Sequence, residues 1–298
     1  MYKKLFIALV SITMFLYCSD NKKSSSENKS EVKQQNDDKL KYQLNITILL
    51  DLSDRIIKPM QPSPIDRDIN IVKIFIDIFK NKMQNDGAFK AKSKIRVLFT
   101  PAPSDQNINN LAEKLSVDLS KMDTKKKKEV YDNIEKMFIE NLSEIYDITT
   151  KTEKFIGSDI WRFFKYDVTE LCIDKDNSYR NILVILTDGY IYHKQSVFRE
   201  KNRTSYLTPV FIQKEGLRTP NWKSKFDSGD YGFISNNQSL ENLEVMVLEI
   251  NPNTPIDEDI IRAYLNKWFD EMKIKNKVFY NTDLTLNTKK RIEKFFNL

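Results

Sequence analysis

The apolar positions of this chain fall into short runs that switch between two spacings. Leu44–Leu50 (LNITILL) and Asn181–Leu186 (NILVIL) are almost continuously apolar, as strands covered on both faces are. Lys94–Thr100 (KIRVLFT), stopped by Pro101 and Pro103, and Leu243–Ile250 (LEVMVLEI) read the same way, and Lys277–Tyr280 reads as a short strand. Between them the spacing becomes helical: Ile69–Met83, Asn107–Leu119, Lys125–Tyr146, a helix that begins near Ser158 and carries Ile160, Trp161, Phe164, Val168, Leu171 and Cys172, then Ile260–Met272 and Leu286–Phe296. This alternation predicts one doubly wound α/β domain over residues 41–298, a mostly parallel sheet flanked by helices in three layers. No hairpin partner for KIRVLFT is evident.

The stretch at about 190–240 is too long for an ordinary strand-to-helix link and reads as an insertion. It holds Tyr190, Tyr192, Tyr206, Phe211, Trp222, Phe226, Tyr231 and Phe233, and Thr208–Gln213 (TPVFIQ) reads as a hairpin strand. Two uses for these rings stay open: a binding rim, since aromatics and Arg carry interface energy, or a small core of the insertion's own.

Ahead of the domain, residues 1–17 combine Lys3 and Lys4 with the apolar run Leu5–Tyr17, which fits a secretory signal and is short for a membrane span. Cys18 follows, then a polar stretch to residue 40 with almost nothing to bury, which predicts a disordered tether. Apolar run, cysteine and polar tether together resemble a bacterial lipoprotein signal, with Tyr17 where a small residue is usual. That resemblance implies lipidation of Cys18 and a place in the cell envelope, on the periplasmic side or the cell surface. Cys172 then has no partner and is expected to be a reduced, buried residue.

Composition removes most other chemistry. One histidine, His193, excludes multi-His zinc sites, and two cysteines exclude zinc ribbons and a disulfide framework. Six glycines and no GxxxxGK[ST] or GxGxxG argue against nucleotide-loop enzymes. The net charge of +6 includes Lys3 and Lys4, and no Arg-dense stripe interleaved with aromatics is present, so nucleic acid is not an expected partner.

In open α/β sheets ligands sit at the carboxyl ends of the central strands. There the chain places Asp51-Leu52-Ser53-Asp54-Arg55 after LNITILL, Thr187-Asp188-Gly189 after NILVIL, and Gly157-Ser158-Asp159 before the intervening helix. These segments, over about residues 43–281, resemble the von Willebrand factor A domain, a Rossmann-like sandwich whose metal-ion-dependent adhesion site uses DxSxS, a Thr or Ser loop and an Asp. The resemblance implies a metal site of Asp51, Ser53, Ser158 and Asp188 holding Mg²⁺ or Mn²⁺, and a protein or peptide ligand that completes the coordination. Hard oxygen donors with one or two carboxylates suit Mg²⁺. Asp54, Arg55, Tyr190 and Tyr192 are expected at the ligand-binding rim.

The third DxSxS position is Arg55, which cannot ligate a cation. Turned outward, it leaves the four donors intact; turned inward, it pairs with Asp51 or Asp188 and replaces the metal. The expected function is a membrane-anchored protein-binding module, not an enzyme. The alternatives are a structural envelope protein with a degenerate site, and a metal-assisted hydrolase using Asp51 and Asp188. A Ser53–His193 pair lacks the G-x-S-x-G elbow, and His193 reads as a surface or rim residue.

Overall fold

The computed structural model describes residues 42–152 and 155–298. The expected signal segment, Cys18 and the tether lie outside the described residues. In chain order the elements are β1 (Gln43–Leu50), α1 (Pro64–Lys90), β2 (Lys94–Phe99), α2 (Gln106–Glu113), β3 (Ser116–Asp118), α3 (Thr124–Thr152), α4 (Ile160–Tyr166), α5 (Val168–Cys172) and β4 (Tyr179–Leu186). Then follow β5 (Arg199–Glu200), β6 (Arg203–Thr204), α6 (Pro209–Lys214), α7 (Trp222–Ser228), β7 (Gly232–Phe233), β8 (Leu243–Ile250), α8 (Pro255–Glu271), β9 (Lys277–Asn281) and α9 (Thr285–Phe296).

Six strands form one sheet in the order β3-β2-β1-β4-β8-β9, parallel except for β3. Alternate residues of the central strands feed two cores. Ile182, Val184 and Leu186 of β4 pack under α1, α3 and α9, while Leu183 and Ile185 pack under α4, α5 and α8. A strand buried on both faces cannot alternate apolar with polar, which is why NILVIL reads as a continuous run. The fold is therefore the three-layer α/β sandwich that the alternation predicts.

The helices start where their caps dictate. Ser63 accepts from the Asp66 N–H and Pro64 opens α1; Thr254 does the same for Asp257, with Pro255 opening α8. Along α1, Ile71, Phe75, Ile78 and Phe79 form the buried stripe. Among the described residues no helix is long and apolar enough to cross a membrane.

Four local expectations are corrected. The helix expected over Asn107–Leu119 ends at Glu113, and Ser116–Asp118 turns back beside β2, with Val117 opposite Ile95. KIRVLFT thus has its antiparallel partner, separated from it by α2 and too short for a period to show. The helix expected from Ser158 to Cys172 starts at Ile160 and is divided at Asp167 into α4 and α5. Thr208–Gln213 is a helix rather than a strand, because the Thr208 hydroxyl accepts from the Phe211 N–H and Pro209 sits in the first turn. Within the stretch 190–240 the strands are instead β5, β6 and β7, which make a small three-stranded sheet.

Cys172 ends α5 fully buried, and burial pushes its thiol up to about 12. Only the thiolate is a strong nucleophile. Iodoacetamide at pH 8 should therefore leave Cys172 unmodified in the native protein while labelling it completely in urea, as read by peptide mass spectrometry. Native labelling at the denatured rate would mean that α5 opens freely.

Candidate functional site

The chain runs from β1 leftward to β2 and β3, then crosses to β4 on the other side of β1, so β1 and β4 flank the point where strand order reverses. Connections leave in opposite directions there and open a crevice at the strands' carboxyl ends. Leu50 pairs with Leu186, which sets Asp51 beside Thr187. The Thr187 hydroxyl donates to Asp51 Oδ2 (2.9 Å), and the Ser53 N–H donates to Asp51 Oδ1 (2.9 Å).

Two glycines bring the other loops in. Gly189 has φ +98°, and a Cβ there would meet the Ile261 side chain at 2.7 Å. Gly157 has φ +88°, and a Cβ there would stand 2.2 Å from the Tyr192 carbonyl. Both positions demand glycine, by conformation and by space. Because Gly157 permits this approach, the Ser158 N–H donates to the Tyr192 carbonyl (2.8 Å), joining the Ser158 loop to the start of the 190–240 segment.

The result is a cavity of about 290 Å³ lined by Ser53, Asp54, Lys58, Ser158, Asp188 and Tyr190, with Tyr192 at its edge. Asp51 lies beneath it, almost fully buried. Burial raises the Asp51 carboxyl above its ordinary range; Arg55 pulls it down and the nearby Asp188 pushes it up again. Asp188 Oδ1 accepts from the Tyr190 N–H (3.1 Å), while Oδ2 takes the Lys58 ammonium at 2.6 Å. The Ser158 hydroxyl is buried against the cavity and has no hydrogen-bond partner.

Arg55 turns inward, but not to either site carboxylate. It is 4% exposed, its Nε donates to the Asp51 carbonyl (2.8 Å), and its Nη2 meets Asp68 Oδ2 at 2.6 Å. The Tyr146 hydroxyl donates to the same Asp68 oxygen (2.6 Å). The rim position expected for Arg55 is thus corrected: its charge is used inside the protein, under α1 and α3. Asp54, Tyr190 and Tyr192 do line the cavity.

Lys58 is the residue that sequence reasoning missed. It follows the short turn Asp54–Ile57, in a stretch with neither helical nor strand spacing, and nothing in the sequence links it to Asp188. His193, expected at the surface or rim, is instead turned inward, its Nδ1 3.0 Å from the buried Asp159 carboxylate, which also accepts from the Ser196 hydroxyl (2.6 Å).

The oxygen set suits a hard cation: two carboxylates just past the ends of adjacent strands and the Ser53 and Ser158 hydroxyls, the latter buried and unpaired. Among the described residues no group of three or more His, Cys, Asp or Glu side chains gathers as a metal centre, so any cation here depends on those hydroxyls.

Most of the insertion's rings face inward. Phe226 and Phe233 pack on Tyr264 of α8 (5.2 and 5.3 Å between centroids), and Phe233 also packs on Trp268 (4.9 Å). Tyr192 and Val210 of this segment remain exposed, as does Ile57 beside Lys58. Compared with models of known protein families and with curated protein sequences, the chain gives no match.

Proposed function

We propose that this protein is a von Willebrand factor A-like binding module, tethered to a bacterial envelope membrane through Cys18, which takes a protein or peptide ligand at the β1/β4 crevice with the help of a divalent cation. The observation that carries this reading is the Ser158 hydroxyl, buried and unpartnered at a cavity that Asp188 lines. A buried hydroxyl without a partner costs about 1–3 kcal/mol, a cost that a coordinated ion or a bound ligand relieves. In this reading Ser53 and Ser158 would hold the ion through their hydroxyls, while Asp51 and Asp188 would balance its charge. The ion would supply a hard Lewis-acidic position for a ligand carboxylate. At the cavity, Tyr192 offers an exposed ring of the kind enriched at interfaces. Lys58 on Asp188 favours a second reading, a structural envelope protein whose site has closed on its own ammonium.

Thermal unfolding of the full-length chain separates the two. At a hundredfold excess over its dissociation constant, a cation bound only by the native state adds about 2.7 kcal/mol. For a protein of this size that is a rise of roughly 5–10 °C. Mg²⁺ or Mn²⁺ should raise the midpoint above that in EDTA, and Asp188→Ala should abolish the rise. Superimposable curves in EDTA and in both cations would leave the structural reading standing.

A further inference from the structure

Resting on the cation reading above, we infer that Lys58 is the site's resident counter-cation: its ammonium occupies the place on Asp188 that a divalent ion needs, and the ion enters only as Lys58 withdraws.

The charges around the cavity carry this argument. Arg55 is paired with Asp68 in the buried core and reaches the site only from the Asp51 side, so the ammonium in contact with Asp188 is that of Lys58. Asp51 and Asp188 are both buried, and a buried carboxylate needs a positive partner. Lys58 supplies a single charge, on Asp188. A divalent ion would supply two, but an ammonium held 2.6 Å from Asp188 Oδ2 would then stand beside it as a like charge. The two cations therefore compete for Asp188.

Lys58 is built to leave, and Arg55 is not. The Lys58 side chain is 33% exposed where that of Asp188 is 11% exposed, so the ammonium reaches the carboxylate from the solvent side. Its stem follows the single turn Asp54–Ile57 and precedes the irregular stretch up to Ser63, so a rotamer change frees the carboxylate without moving a strand. A lysine ammonium is a point charge on a flexible stem, whereas a guanidinium held by a carboxylate and a carbonyl is locked in place. The Ser158 hydroxyl fits the same exchange: it is unpaired with the ammonium in place, and it would be among the oxygens that hold a divalent ion at this cavity.

Mg²⁺ titration calorimetry on the full-length wild type, Lys58→Met and the Lys58→Met/Asp188→Ala double variant tests the inference. Methionine keeps the apolar stem and removes the charge. Lys58→Met should bind Mg²⁺ at least tenfold more tightly than wild type, and the double variant should not bind. The unfolding midpoint of Lys58→Met should lie below that of wild type in EDTA and above it in saturating Mg²⁺, a crossing that a merely structural ion pair does not produce. Binding by Lys58→Met alone supports the inference in its strongest form. Equal affinity in wild type and Lys58→Met overturns the inference and leaves the cation site intact. Absence of binding in both overturns the cation reading and the inference with it.

Discussion

Asp68→Ala should destabilise the protein by about 3–5 kcal/mol, the range for breaking one side of a fully buried ion pair. Asp68 is completely buried, and it accepts from both the Arg55 guanidinium and the Tyr146 hydroxyl at 2.6 Å. Burial works against the charge on Arg55, yet Asp68 and then Asp51 hold it protonated beyond the ordinary arginine range. Burial likewise raises the Tyr146 phenol, with Asp68 adding to the effect. Removing Asp68 leaves the buried guanidinium without its carboxylate partner and with the Asp51 carbonyl as its remaining hydrogen bond. The midpoint of thermal unfolding should fall by roughly 6–20 °C. Replacing both partners, as in Arg55→Met with Asp68→Leu, should recover most of the loss, because no uncompensated charge then remains. A single Asp68→Ala variant within about 1 kcal/mol of wild type would mean that Arg55 escapes to solvent, and hence that it is available to the site after all.

A similar loss is expected at Trp268, for a different reason. This ring is fully buried and joins three elements: it lies 4.7 Å from Phe164 of α4, 4.9 Å from Phe233 of β7 and 5.6 Å from Phe269 of α8. Trp268→Ala should cost about 3–5 kcal/mol in urea unfolding, from lost burial and the cavity left behind. Because Phe233 is one of the insertion's anchors, the 190–240 segment should also become more sensitive to limited proteolysis. Trp268→Phe should be much milder: it keeps the ring stack, and the indole N–H it removes has no partner in the folded protein. Unchanged urea stability and unchanged proteolysis in Trp268→Ala would show that the insertion does not depend on this stack.

These two sites bracket what the sequence makes legible. β8 occupies the span its apolar run predicts, and β4 extends NILVIL by two residues, because strands covered on both faces advertise themselves without help from context. Asp51, Ser53, Ser158 and Asp188 come together for a related reason: each follows or precedes a recognisable element, and a doubly wound sheet has one place where such ends meet. The insertion is less legible. Its rings read equally as rim or core, and most are core, since α8 offers Tyr264 and Trp268 as partners that no local pattern announces. β3 is three residues long, below the length at which period shows, and α6 was hidden by an apolar spelling shared by strand and helix.

By itself, the sequence determined the strand order's raw material: which segments are central, which faces are covered, and which loops share the crevice. Those follow from local periodicity and chain connectivity, which any window of residues carries. Tertiary structure alone decided how charge is distributed around the crevice. Arg55, at the third DxSxS position, is spent on Asp68, which also takes the Tyr146 hydroxyl, whereas Lys58, outside every motif, sits on Asp188. Coulomb energy depends on separation and burial in space rather than on separation along the chain, so no spacing of residues could assign those partners before the helices and strands were packed.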